Sequence, residues 1–75
     1  MNNERRKQAR QWIAKARALQ SELECIASDE EEAFDNMPEG LRSTINGMNS
    51  EEAIDKFNEA IECVEEAIEC IEEII

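Results

Sequence analysis

Along the last third of the chain the apolar positions repeat with a helical period. Ile54, Phe57, Ile61, Val64, Ile68, Ile71 and Ile75 alternate spacings of three and four, and almost everything between them is Glu or Ala. Side chains at that spacing stand on one face of an α-helix, so this is a seam suited to packing against another helix. A second, wider stripe occupies the first half: Ala9, Trp12, Ala16, Leu19, Leu23, Ile26, Ala33 and Met37, broken only at Glu30. Ile13, Ala27 and Phe34 widen it on one flank.

The ends of these stripes carry capping chemistry. Asn2 and Asn3 suit the cap of a first helix with Glu4 just inside it, where a side-chain oxygen and a negative charge meet the free N–H groups. That helix is expected over about 3–36. Pro38 biases the residue before it away from helical dihedrals but suits the first turn of a new helix. A short helix is therefore expected over 38–46, with Leu41 and Ile45 facing inward and Gly47 as its stop. Asn49 or Ser50 caps the last helix; Asn49 with Glu52 three residues on resembles a capping box. The last helix is expected over about 50–75, some 25 residues and ~38 Å long.

Charge sets the orientation. Residues 1–20 carry six bases and one acid, whereas residues 59–75 carry seven acids and no base. Cations at a helix N-terminus and anions at a C-terminus both oppose the macrodipole. Glu62 with Glu66, and Glu69 with Glu73, also repel at ~0.2–0.5 kcal/mol per pair. Antiparallel packing relieves both faults by bringing Arg5, Arg6, Arg10 and Arg17 near Glu62 to Glu73. The expected fold is all-α: an antiparallel, coiled-coil-like helical hairpin with a short helix at the bend, forming one domain over residues 1–75.

Size adds a further expectation. Seventy-five residues rarely supply more than ~3–5 kcal/mol of net stability from one core without a staple. Ala53, Ala60 and Ala67 flank the last seam, with Cys63 and Cys70 beyond them, so the low-polarity arc is wider than one partner helix needs. β-Branched residues at nearly every seam position suit higher-order helix packing. A homodimer of hairpins forming a four-helix bundle is expected, with Trp12, Leu19, Leu23, Ile54, Phe57, Ile61, Val64, Ile68 and Ile71 as its self-association seam.

The chain nets −11, from 19 acids against 8 bases, which argues against direct contact with nucleic-acid phosphates or an anionic membrane and permits a basic partner. Most of the surplus sits at the bend, where Asp29, Glu30, Glu31, Glu32, Asp35, Glu39, Glu51, Glu52 and Asp55 face only Arg42 and Lys56. This acidic pole reads either as a solvated face or as a surface imitating nucleic-acid charge to occupy a basic cleft.

Chemistry-bearing patterns are missing. The acids lack the spacing and glycine of a calcium loop, and His is absent, which removes the di-iron bundle pattern. Three cysteines without His cannot complete a zinc site. Cys63 and Cys70, two helical turns apart, lie too far apart for a disulfide, and with Cys25 they read as half-buried apolar residues. A thin hairpin offers scarcely any pocket for a carboxylate pair. No catalytic, cofactor or metal residues are assigned, and no enzymatic activity is expected. Trp12 reads as core or oligomer interface, and its indole N–H wants a partner if buried; exposed, it reads instead as a hot spot for a heterologous partner. Arg5, Arg6, Lys7 and Arg10 read as partners for the acids of the last helix. No leader pattern and no membrane-length apolar run, with an odd, unpaired cysteine count, point to the cytoplasm.

The opening Met1-Asn2-Asn3-Glu4-Arg5-Arg6-Lys7, the central Glu32-Ala33-Phe34-Asp35-Asn36-Met37-Pro38-Glu39, and Glu51-Glu52-Ala53-Ile54-Asp55 at the head of an Ala-Ile-Glu repeat resemble small acidic helical proteins encoded by bacteriophages and prophages. The likeness spans nearly the whole chain and is most specific from Phe34 to Glu39; Ser43 to Asn49 departs from it. The resemblance implies a phage-like context in a host cytoplasm. Small non-enzymatic proteins in that setting commonly bind and block a host factor, including defence nucleases. The functional expectation is a stoichiometric inhibitor of a host or defence protein that handles nucleic acid. The alternative is an assembly protein that only self-associates through its helical seam.

Overall fold

The computed structural model describes residues 1–75. Three helices follow one another: α1 (Asn3–Asp35), α2 (Glu39–Arg42) and α3 (Ile45–Glu72). Helices α1 and α3 pack along one another as a hairpin, with α2 at the bend, giving a rod of 58 × 15 × 12 Å. The all-α hairpin read from the two stripes is the observed fold.

Helix α1 begins as its sequence dictates. Asn2 is extended, and its Oδ1 accepts the Arg5 N–H at 2.8 Å, satisfying one of the donors that a first turn leaves free. The other end lacks basic residues in its last turn. Arg42 supplies the cation from α2, donating from Nη2 to the Asp35 carbonyl at 2.6 Å. Its guanidinium lies 5.6 Å from the centroid of the Phe34 ring, so one side chain caps α1 electrostatically and holds α2 against it.

The bend differs from the pattern expected of it. Helix α2 is a single turn, Glu39–Arg42, rather than a helix over 38–46. Helix α3 starts at Ile45, not near residue 50. The break falls at Thr44, whose extended backbone opens α3 while its hydroxyl donates back to the Leu41 carbonyl. Gly47 lies inside α3 and is not a stop. A Cβ there would clash with the Arg42 carbonyl oxygen, so the glycine lets the end of α2 press on the first turn of α3. Asn49 is likewise interior to α3 and caps nothing. One turn of helix is too short to bury a face, and Leu41 is exposed rather than inward; Ile45, at the first position of α3, is exposed as well.

The interhelix core is thin. Ala16, Ala27 and Ile68 are its buried apolar residues, and Ile68 is fully enclosed. Ile13, Leu23 and Phe34 on α1, and Ile54, Phe57, Ile61, Val64 and Ile71 on α3, are half-buried. Alanines on α1 meet branched residues on α3, a small-to-large match that lets two helices approach closely. Buried Gln20 completes the α1 side: Nε2 donates to the Ile61 carbonyl at 3.2 Å and to Glu65 Oε2 at 3.0 Å. Arg17 adds Nη1 to Glu65 at 3.4 Å and Nη2 to Glu72 at 3.0 Å. These are the only interhelix ion pairs. Arg5, Arg6 and Arg10 make none, contrary to the expected pairing, because Gln20 against Ile61 and Arg17 against Glu65 set a register that leaves the start of α1 beyond the end of α3. No helix is long and apolar enough to cross a membrane.

Candidate interaction face and acidic bend

The stripe on α1 is wider than the hairpin uses. Its flank goes inward: Ile13, Ala16, Gln20, Leu23, Ala27 and Phe34 are buried or half-buried. Its other edge stays outside, with Trp12, Leu19 and Ile26 at 45%, 59% and 48% exposure. Together with exposed Ala33, these residues stand seven apart and form one line along the rod. Trp12 is thus not in the hairpin core, and Leu19 is not enclosed by α3.

Helix α3 presents a matching line at the same spacing: Ala53, Ala60, Ala67 and exposed Ile74. Between the two lines runs a shallow groove with two hollows. The larger, about 430 Å³, is lined by Trp12, Lys15, Ala16, Leu19, Cys63, Val64 and Ala67. The smaller, about 320 Å³, lies between Leu23, Ala53, Lys56, Phe57 and Ala60. Small residues on α3 make the floor low, and Trp12 and Leu19 form a wall. Lys15 and Lys56 are the only charged groups that line it. No reactive pair converges there; what the groove offers is apolar contact area beside exposed aromatic and aliphatic side chains.

The bend carries a different surface. All nine acids of the pole lie outside any ion pair: Arg42 bonds a backbone carbonyl, and Lys56 pairs with Glu59 at 3.2 Å. Glu30 is half-buried, and the other eight carboxylate residues are exposed. No three or more Cys, Asp or Glu side chains gather as a metal site. The field at this end is therefore unneutralised within the molecule.

The cysteines correct an expectation. Cys25, Cys63 and Cys70 are free and exposed rather than half-buried, because all three lie off the inward face that α1 and α3 share. Of the seam residues, the structure brings Leu23, Ile54, Phe57, Ile61, Val64, Ile68 and Ile71 to the hairpin interior and leaves Trp12 and Leu19 on the open face. Gln20 and Gly47 are the structural residues the apolar pattern passes over. A signal for Gln20 exists, since it fills the gap between Ala16 and Leu23 in the flank spaced 13, 16, 20, 23, 27. Compared with protein-family models, curated proteins and solved structures, the chain matches none.

Proposed function

We propose that this chain is a non-enzymatic protein-interaction module of phage type. It binds a host or defence protein that handles nucleic acid and inhibits it by stoichiometric occupation. The observation that carries the reading is the set of nine unpaired carboxylates at one end of a narrow rod. Helix-borne carboxylates about 5–6 Å apart offer a basic cleft a row of negative charge, and unneutralised charge steers such an encounter. A rod 15 × 12 Å in cross-section is slim enough to enter a cleft shaped for nucleic acid.

The test is capture from a bacterial lysate at low salt, using the full chain and a variant with Glu31→Gln, Glu32→Gln, Glu51→Gln and Glu52→Gln. The reading expects one or a few basic, nucleic-acid-handling proteins in near-equal amount. They should be lost with the variant and at about 1 M salt, where the screening length falls to about 3 Å. Equal recovery by the variant, or recovery of no such protein, counts against it.

A further inference from the structure

We propose that the open apolar face is closed by a second copy of this chain, packed antiparallel about a twofold axis close to Leu19. The inference shares Asp29 to Glu32 with the acidic bend, but solution mass reads the dimer without any partner of the bend, so the two readings fail separately.

Three observations converge. The first is area. A compact protein of 8.6 kDa exposes about 4,700 Å², whereas this chain exposes 5638 Å². The excess, roughly 900 Å², is close to the ~800 Å² that each partner gives to a standard interface. The radius of gyration, 17.2 Å, likewise exceeds the ~11 Å of a compact chain this long. A rod of this shape has surplus surface enough to give one standard interface along its side.

The second is register. Leu19 is the midpoint of α1, which runs from Asn3 to Asp35. Trp12 lies seven residues before it and Ile26 seven after. An antiparallel copy places Trp12 against Ile26 of the second copy, at both ends of the contact, and Leu19 near its own equivalent. On α3 the midpoint of the Ala53, Ala60, Ala67 and Ile74 line falls between Cys63 and Val64, level with Leu19 by the Gln20 and Arg17 bonds. One axis therefore serves both helices, and the interface is self-complementary, as a twofold requires.

The third is charge. Arg10, Lys7, Arg6 and Arg5 precede Leu19 by 9 to 14 residues; Asp29, Glu30, Glu31 and Glu32 follow it by 10 to 13. Run antiparallel, the bases that find no ion pair within the hairpin lie alongside acids that find none either. Lys15, on the rim of the larger hollow, comes level with Glu22 and Leu23 of the second copy. A parallel dimer instead sets the two acidic bends side by side. Such like-charge contact is what suppresses a wrong arrangement. The antiparallel dimer projects its two bends from opposite ends of one rod, so a partner of the bend meets a bivalent particle.

The experiment has two parts. Light scattering on the reduced full chain across a concentration series should give twice the chain mass. A spin label is then placed at Gly40→Cys, where the added side chain meets nothing within 4 Å, with Cys25→Ser, Cys63→Ala and Cys70→Ser. The label-to-label distance should be on the order of the 58 Å rod length. A monomer at tens of micromolar overturns the proposal. A dimer with labels about 20 Å apart, two interhelix spacings, overturns the antiparallel arrangement. If the cysteine replacements abolish the dimer, a fluorophore on an unnatural residue at position 40 of the otherwise native chain reads the same distance.

Discussion

Gln20 and Glu65 are joined across the hairpin, Nε2 to Oε2 at 3.0 Å, and the same carboxylate oxygen takes the Arg17 guanidinium at 3.4 Å. The amide is buried among apolar neighbours and also bonds the Ile61 carbonyl, so it fixes α1 against α3 in both rotation and sliding. A neutral hydrogen bond contributes about 1 kcal/mol net, and one to a charged group about 1.5–3. Gln20→Ala is expected to lower stability by about 1–3 kcal/mol in urea unfolding. Gln20→Leu, which fills the space and leaves the half-buried Glu65 to Arg17 and water, should stay within about 1 kcal/mol of the parent. An alanine variant as stable as the parent shows that the amide does not hold the register.

The two glycines should respond in opposite directions. At Gly47 an added Cβ would clash with the Arg42 carbonyl oxygen and lie 2.6 and 2.7 Å from the Arg42 carbonyl carbon and Cα, and backbone cannot step aside as a side-chain tip can. Gly47→Ala is expected to cost about 1–3 kcal/mol, the range of overpacking, and to splay α2 from α3. Gly40 is helical and open to solvent, so Gly40→Ala should gain about 0.4–1 kcal/mol by restricting the unfolded chain. Chemical unfolding of the two single variants decides the matter, and equal effects would falsify the role given to Gly47.

The two-helix architecture was legible because strict three-four spacing has one structural meaning. Ile54 to Ile71 face α1 as their periodicity requires. The side of α1 that meets α3 was not legible. Trp12, Leu19 and Ile26 make one seam with Ala16 and Leu23, while Ile13, Gln20 and Ala27 make another with the same two residues. Hydrophobicity favours the first, but α3 packs on the second, where alanines permit a closer approach. Gly47 misled for a related reason: the residue that ends helices also permits close backbone contact, and only the neighbouring chain tells the two uses apart. The charge reading placed Arg17 correctly and overreached at Arg5, Arg6 and Arg10, because it took opposite ends without the register between them.

Ile68 is the largest side chain with no exposure, whereas Ile45 is 77% exposed. Removing three methyl or methylene groups from an enclosed isoleucine costs about 2–5 kcal/mol, comparable to the ~3–5 kcal/mol that a domain of this size holds. Ile68→Ala should therefore be largely unfolded at room temperature by circular dichroism. Ile45→Ala should change stability by less than about 0.5 kcal/mol.

The three thiols test the proposed dimer separately from the hairpin. All are exposed in the single chain, but Cys63 lines the larger hollow, while Cys25 and Cys70 do not. Labelling with a thiol reagent should be fast at Cys25 and Cys70 at every protein concentration. At Cys63 it should slow as concentration rises and the groove closes. Mass mapping of partially labelled protein gives the three rates separately, and a concentration-independent rate at Cys63 removes the groove from the interface.

Salt should stabilise this protein, despite its interhelix ion pairs. Arg17, Glu65 and Glu72 are 40–49% exposed at the side chain, and ion pairs that wet contribute about 0–1 kcal/mol. Against them stand 19 acids and 8 bases, seven of the acids in the last 17 residues, where they also oppose the α3 dipole. Self-repulsion of that kind opposes the compact state and is screened over about 10 Å at 0.1 M salt. The unfolding midpoint should therefore rise from low to moderate ionic strength. Arg17→Met should lower stability only slightly, by less than about 1 kcal/mol, and should leave the salt trend in place. A midpoint that falls on adding salt assigns Arg17 and its two carboxylates a far larger share of the stability than their exposure allows.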